Sequence, residues 1–479
     1  MGDPRDPVGR DPVDRWLNAE VEPLTPRPGT FERISRRAHR RKVRRASISV
    51  AGAVVVIGVA ASVPGIVSAL QPGGGRPAPA AAASSPRPTA APAITGQGSG
   101  GLASQSSSPV PPATIPASLA HPGPLPANFQ PTSVTFIGQF TGAVIGQAGT
   151  QGHCATRYCT SLAGTNNYGR SWFGVSAPHT GPPDGSRGVG QLRFLNTDNG
   201  WAFGPQLWVT HDAGATWQQE ATGGMRVIDL ETAGNRAFAL FAKCAGSGAS
   251  FGTGCTSVSL YTSSTAGNQW QRASGPAGRL PAAAAGRADS ASLLLAGDRG
   301  YVLAPSGELL SGPITGAAWT MADAQVPCSP GAPGAGGQPT GALMAAGSGD
   351  LFLVCTSATS TAGDSQTKVV MVSSNGGTTW STAGDGPTPG IATSVAAAQG
   401  NVVVLATDTG LYLSTNGGVS WQLARSGPPR AKAGARGFGY VGMTSATQGV
   451  ALPADAGLHE VFITTDGGST WRPQAISSP

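Results

Sequence analysis

One octet recurs along this chain from Ser133 onward, and it limits the possible folds more than any other feature. It reads TNNYGRSW ending at Trp172, THDAGATW ending at Trp217, SSNGGTTW ending at Trp380, STNGGVSW ending at Trp421 and TTDGGSTW ending at Trp471. Two degenerate copies fill the gaps: SSTAGNQW ending at Trp270 and GPITGAAW ending at Trp319. Successive tryptophans stand 45, 53, 49, 61, 41 and 50 residues apart. A near-constant period of this length marks a repeat architecture in which each unit buries its faces against its neighbours.

The residue types suit a tight turn between two strands. An Asp or Asn at the third place (Asn167, Asp212, Asn375, Asn416, Asp466) can bond its own backbone. A Gly at the fifth (Gly169, Gly214, Gly377, Gly418, Gly468) supplies a positive φ. The closing Trp opens the next strand and is expected to pack between units, burying about 150–250 Å². Three short apolar runs precede each octet, for example QLRFL, GWAFG and LWVTH before Asp212. Three strands and the Trp strand make a four-stranded blade. The expectation is an all-β, seven-bladed β-propeller over 131–479, with no strand left over for one end of the chain to lend the other.

The octet resembles the Asp box, S/T-x-D-x-G-x-T/S-W, also called the BNR repeat. Sialidases, sortilin-like receptors and photosystem II assembly factors share it, and the GWAFG segment leading into THDAGATW is closest to the last of these. The resemblance covers the chain from Ser133 and implies a propeller. It implies nothing about photosynthesis here.

The N-terminal part divides differently. Residues 48–70 carry no charge, and 23 residues at 1.5 Å each can cross a hydrocarbon core of about 30 Å. Arg33, Arg36, Arg37, Arg40, Arg41, Lys42, Arg44 and Arg45 precede them, whereas only Arg76 and Arg87 follow before Arg157. The positive-inside rule puts such an N-terminus in the cytoplasm and the rest outside. Residues 1–46 thus read as a disordered basic cytoplasmic tail and 47–70 as a transmembrane signal anchor at the plasma membrane. Cleavage as a signal peptide, with Val67 and Ala69 at the small-residue positions, is the alternative. Residues 71–130, with 13 prolines, cannot bury a core and read as a stalk.

Charge narrows the function classes. Charged residues are 11% of the chain, against about 25% in typical soluble domains. The net +7 is mostly local, since 1–46 holds twelve Lys/Arg against seven Asp/Glu. Without a basic face on the folded part, nucleic acid is not an expected partner. Six cysteines, all beyond the apolar segment, suggest disulfides in an exported domain. Order alone allows fifteen pairings. The blade map favours Cys154–Cys159, Cys244–Cys255 and Cys328–Cys355, all on the face opposite the octets. No CxxC occurs and no cluster of His gathers with the cysteines, so neither a metal nor a cofactor is expected.

That face also carries the long links between blades, with Arg187, Arg279, Arg287, Arg430, Lys432 and Arg436. Loops on a rigid scaffold commonly carry binding function. The reading favours a non-catalytic binding or assembly module of the cell envelope, with a protein or glycan ligand at a basic rim. A sialidase-like glycoside hydrolase is an alternative, but the Arg-Ile-Pro string that precedes the first octet in sialidases is missing, and Arg279-Leu280-Pro281 follows the third octet instead. A transmembrane ligand sensor is another. If chemistry is present, Arg226, Asp229, Glu231 and Asp289, near inner strands, are where it belongs.

Topology is open to direct test. An N-terminal tag should resist external protease while a tag after Pro479 is digested. A mature N-terminus found near Gln71 would replace the anchor by a cleaved leader.

Overall fold

The computed structural model describes residue 119 and residues 123–476, apart from 151–152, 155–156, 246–253, 265–268, 282–287, 289, 317, 323–325, 329–340, 348, 358–365 and 430–435. The tail, the proposed membrane span and most of the stalk lie outside these residues. Among the described residues no helix is long and apolar enough to cross a membrane.

Seven antiparallel sheets follow one another along the chain as blades, each built from consecutive strands except the first, where a short hairpin of Gly149–Thr150 and His153–Cys154 stands between the second and third strands. The innermost strands are Gln130–Phe136, Gln191–Phe194, Arg226–Ala233, Ser292–Ala296, Gly341–Ala346, Ala392–Ala398 and Phe438–Met443. The fold is thus an all-β, seven-bladed propeller with four-stranded blades. Blade three gains a fifth piece. Its third strand, Cys255–Ser264, is ten residues long, and Gln271–Arg272 covers only part of its edge. Leu280–Pro281 pairs with Ser257 and Val258 and covers more of it. Covering an open edge removes a template for unwanted pairing.

The five close octets share one hydrogen-bond pattern. In the second, Thr210 donates its hydroxyl to Asp212 Oδ1 at 2.8 Å and accepts the Gly214 N–H at 3.0 Å. Asp212 Oδ1 also accepts the Thr216 N–H at 2.9 Å, and Oδ2 accepts the Thr216 hydroxyl at 2.6 Å. Asp466 repeats this with Thr464 and Thr470. Where the third residue is Asn, the outer bond reverses and the amide donates to the hydroxyl, as in Asn167 to Ser171, Asn375 to Thr379 and Asn416 to Ser420. The octet consumes its own polar groups, which marks it as structural.

Two features of the turn exceed the sequence expectation. Positive φ occurs at the fourth place as well as the fifth, so Tyr168 and Ala213 adopt it at 63° and 61°. The fifth-place Gly also touches the preceding blade. A Cβ on Gly377 would lie 2.2 Å from Leu309 Cδ2, and one on Gly418 2.6 Å from Val370 Cγ1. The turn is therefore an interblade contact.

The tryptophans differ from expectation. Trp319 and Trp471 are buried, but Trp172, Trp217, Trp270, Trp380 and Trp421 are half-buried. A fourth-strand Trp stands near the outer rim, where the blades splay apart and cover less of it. Trp319, in the most degenerate octet, lies flat on Gly300 and Gly312 of its own blade, where a Cβ would come within 2.3 and 2.7 Å of the indole.

No strand is exchanged at the ring's seam, because blades one and seven are each complete. The seam is sealed by the segment ahead of the first strand. Leu125 and Phe129 are buried with Val134 and Val144 of blade one and with Val450, Leu452, Val461 and Ile463 of blade seven. His459 Nδ1 donates to the Phe129 carbonyl at 2.8 Å, and Gln448 Nε2 to the Gln139 carbonyl at 2.9 Å. Gly123 pairs with Gly174 on the outer strand of blade one, and Leu119 is buried beside that blade. Phe129→Ala should cost about 3–5 kcal/mol by leaving a cavity at the seam. Denaturant unfolding checks this, and a loss below about 1 kcal/mol would show that the seam holds without Phe129.

Candidate functional site

Propeller geometry gives the two faces different contents. First-to-second turns and octets share one face, and second-to-third loops and interblade links share the other. Cys244–Cys255 closes the second-to-third loop of blade three, and Cys328–Cys355 ties the link before blade five to that blade's second strand. Both pairings match expectation, and both lie on the link face. Cys159 is also disulfide-bonded, while the side chain of Cys154 is outside the described residues. On the same face Lys368 is buried with its ammonium donating to three carbonyls, of Gln366, Pro387 and Gly390, at 2.8, 2.9 and 2.7 Å. Burial holds its pKa below the usual lysine range, with the Asp408 carboxylate acting against this. It pins the link between blades five and six.

The anticipated basic rim is partly visible. Arg187 and Arg279 are exposed in the links after blades one and three. Arg436 reaches Asp408 at 3.6 Å with its side chain 44% exposed. These three stand in links of different blades. Arg287, Asp289, Arg430 and Lys432 lie outside the described residues. Arg226 is buried at the start of its inner strand, away from the central cavity.

Inside the ring the inner strands enclose a channel of about 490 Å³. Its lining follows the second halves of those strands, toward the octet face. Most of the lining residues are apolar by type, but polar atoms make up more of the exposed wall than apolar ones, and one sector is charged. Arg193 of blade two donates through Nε to Glu231 Oε1 of blade three at 3.0 Å, and through Nη1 to the Leu192 carbonyl at 2.9 Å. Tyr440 of blade seven bonds the same guanidinium. Burial opposes the arginine's charge, but Glu231, Tyr440 and Asp229 outweigh it and hold the pKa above its ordinary value.

Asp229 has an informative position. The inner strands of blades one, three and six bulge just before Ser133, Asp229 and Ser394. Each of these side chains accepts an N–H from the next inner strand. Leu192 N donates to Ser133 Oγ at 3.3 Å, Leu293 N to Asp229 Oδ2 at 2.8 Å, and Val441 N to Ser394 Oγ at 3.2 Å. A serine suffices in two blades, and blade three uses an acid. Burial and then the neighbouring Glu231 charge push Asp229 up to about 7, against the pull of two backbone N–H bonds and Arg193. Burial likewise raises Tyr440.

Sequence reasoning reached Asp229 and Glu231 through their place near an inner strand. It missed Arg193 and Tyr440. The available signal was the charge of Arg193 within QLRFL, an inner strand of a chain poor in charge. Among the described residues no three His, Cys, Asp or Glu side chains are grouped to hold a metal ion.

Fold and site together define a seven-bladed β-propeller with cross-linked loops on one face and a charged sector in its channel. No family model matches the chain, and no curated protein matches it. Solved structures similar to it include YCF48 from Cyanidioschyzon merolae, at 16% identity and TM-score 0.44, covering 72% of this chain and 98% of that one. Another is YCF48 bound to D1 peptide, at 17% identity and TM-score 0.43, covering 74% and 97%. A third is an ancestral GH74 enzyme, at 12% identity and TM-score 0.46, covering 76% and 48%.

The raised Asp229 pKa sets a pH dependence. The unfolded chain releases this proton near 3.8, whereas the folded chain keeps it to about 7. The associated stability is full below the lower value and is lost as pH rises toward the upper one. The advantage of the native chain over Asp229→Asn in denaturant unfolding should therefore shrink between pH 5 and 7.5. A gap that widens would contradict the assignment.

Proposed function

We propose that this chain is a single-pass membrane protein whose propeller stands outside the cytoplasm as a non-catalytic binding or assembly module of the cell envelope, with a protein or glycan ligand on the link face. The observation that carries the reading is the concentration of restraints there. Two disulfides and the three-carbonyl clamp of Lys368 all fix segments of that face. Loops held rigid before contact lose less entropy on binding. The disulfides also agree with an oxidising, exported location.

A glycosidase would need free carboxylates, one as acid and one as nucleophile or base. Of the carboxylates at this sector, Glu231 lines the channel and is tied through Oε1 to Arg193, while Asp229 beside it takes two backbone N–H bonds. This favours binding over hydrolysis.

Arg430, Lys432 and Arg436 lie in one link, and changing all three to Ser tests the reading. Stability should move by less than about 1 kcal/mol, since surface changes are usually small. Retention of envelope proteins or acidic glycans by the immobilised chain should fall, with a shallower salt dependence. Undiminished retention would move the binding surface away from this link.

A further inference from the structure

The charged sector of the channel has more acid than base. One guanidinium, Arg193, serves two carboxylates, Glu231 and Asp229. The arginine is occupied, with Nε on Glu231, Nη1 on the Leu192 carbonyl and a further bond to Tyr440. An incoming anion would have to displace these bonds and face both acids. A cation meets the opposite situation. Glu231 gives Oε1 to Arg193, while Oε2 accepts no hydrogen bond among the described residues, and the side chain keeps 28% exposure into the cavity. Apolar side chains share the wall with this charged spot. Ile137, Leu195, Leu295, Met344, Val395 and Met443 line the channel toward the octet face, all half-buried.

We propose that this channel binds a small organic cation, a primary ammonium on an apolar body, with the ammonium on Glu231 Oε2 and the body against Leu295, Met344 and Val395. The site differs from the link-face surface in position and in ligand chemistry. Burying an apolar chain gains about 0.8 kcal/mol per CH₂, and the carboxylate fixes which end enters first. Asp229 sets the charge of the sector. The titratable and charged groups around it are Glu231 on its own strand, Arg193 from blade two and Tyr440 from blade seven, while blade four supplies the backbone N–H of Leu293. With Asp229 protonated the sector is neutral overall, and with it ionised the sector carries one net negative charge. Cation affinity therefore rises through the range near pH 7 where Asp229 loses its proton.

The test is calorimetric titration of the full chain in nanodiscs with n-butylammonium, using empty nanodiscs as blank and butyrate as the charge control. At pH 8 butylammonium should bind saturably and butyrate should not. At pH 6 the affinity should be lower by up to about tenfold, following the ionised fraction of a group with pKa near 7. Glu231→Gln, which keeps an oxygen for Arg193, should weaken binding at least about tenfold. Absence of saturable binding at pH 8, equal binding of butyrate, or an affinity that does not change between pH 6 and 8 would each overturn the proposal. Should Glu231→Gln fail to fold, the pH series and the butyrate comparison on the native chain decide the matter. No envelope partner enters this titration, so its outcome is separate from that of the link-face reading.

Discussion

The fold depends on apolar packing between neighbouring blades. A four-stranded sheet has two faces to bury, and in a ring each blade has one neighbour for each face. The buried clusters accordingly join residues of adjacent blades: Val404 and Leu413 of blade six, for instance, pack with Phe438, Val441 and Phe462 of blade seven. Such an arrangement is complete only when the last blade meets the first. Here the meeting is secured without strand exchange, by Leu125 and Phe129 laid across the seam. The end of the segment read as a stalk, from Leu125 to Phe129, is thus part of the propeller's core.

The same packing creates the demand for polar stitches. Inner strands converge on the axis too closely for large side chains at every position, yet their backbone N–H groups need partners. Ser133, Asp229 and Ser394 answer this by bridging to the next strand just after a bulge. Once Asp229 occupies one of these positions, burial and the adjacent Glu231 charge raise its pKa, and Arg193 opposite becomes necessary. A structural requirement has in this way placed a titratable group beside a cavity, and the proposed cation site follows from that charge imbalance.

Octets and link face divide the labour. The octet turns satisfy their own donors and acceptors through Thr210, Asp212 and Thr216 and their counterparts. Burial works to raise the Asp212 pKa, but hydrogen bonds from Thr216, through its hydroxyl and its N–H, and from Thr210 together outweigh it and hold Asp212 below the usual carboxylate range. On the opposite face disulfides and the buried Lys368 ammonium hold the long connections.

Much of this architecture was legible in the chain because it is local. Turn chemistry depends on residues within eight positions, so TTDGGSTW announces a hairpin wherever it stands, and seven such signals at near-constant spacing count the blades. Two disulfides were legible because each cysteine pair falls within one blade or its entry link. What the sequence could not express is contact between blades. Arg193 and Glu231 are 38 residues apart, and Tyr440 is some 200 residues further on. Their meeting depends on the radius and closure of the ring, which no local pattern encodes. For the same reason the seam segment resembled linker by composition, and the burial of Phe129 was decided by blade seven, 330 residues away at His459. The sequence by itself determined the repeat, the blade and the turn, because their energetics lie within one unit. Tertiary structure decided the seam, the interblade stitches and the charged channel, because those interactions exist only once seven units have closed on themselves.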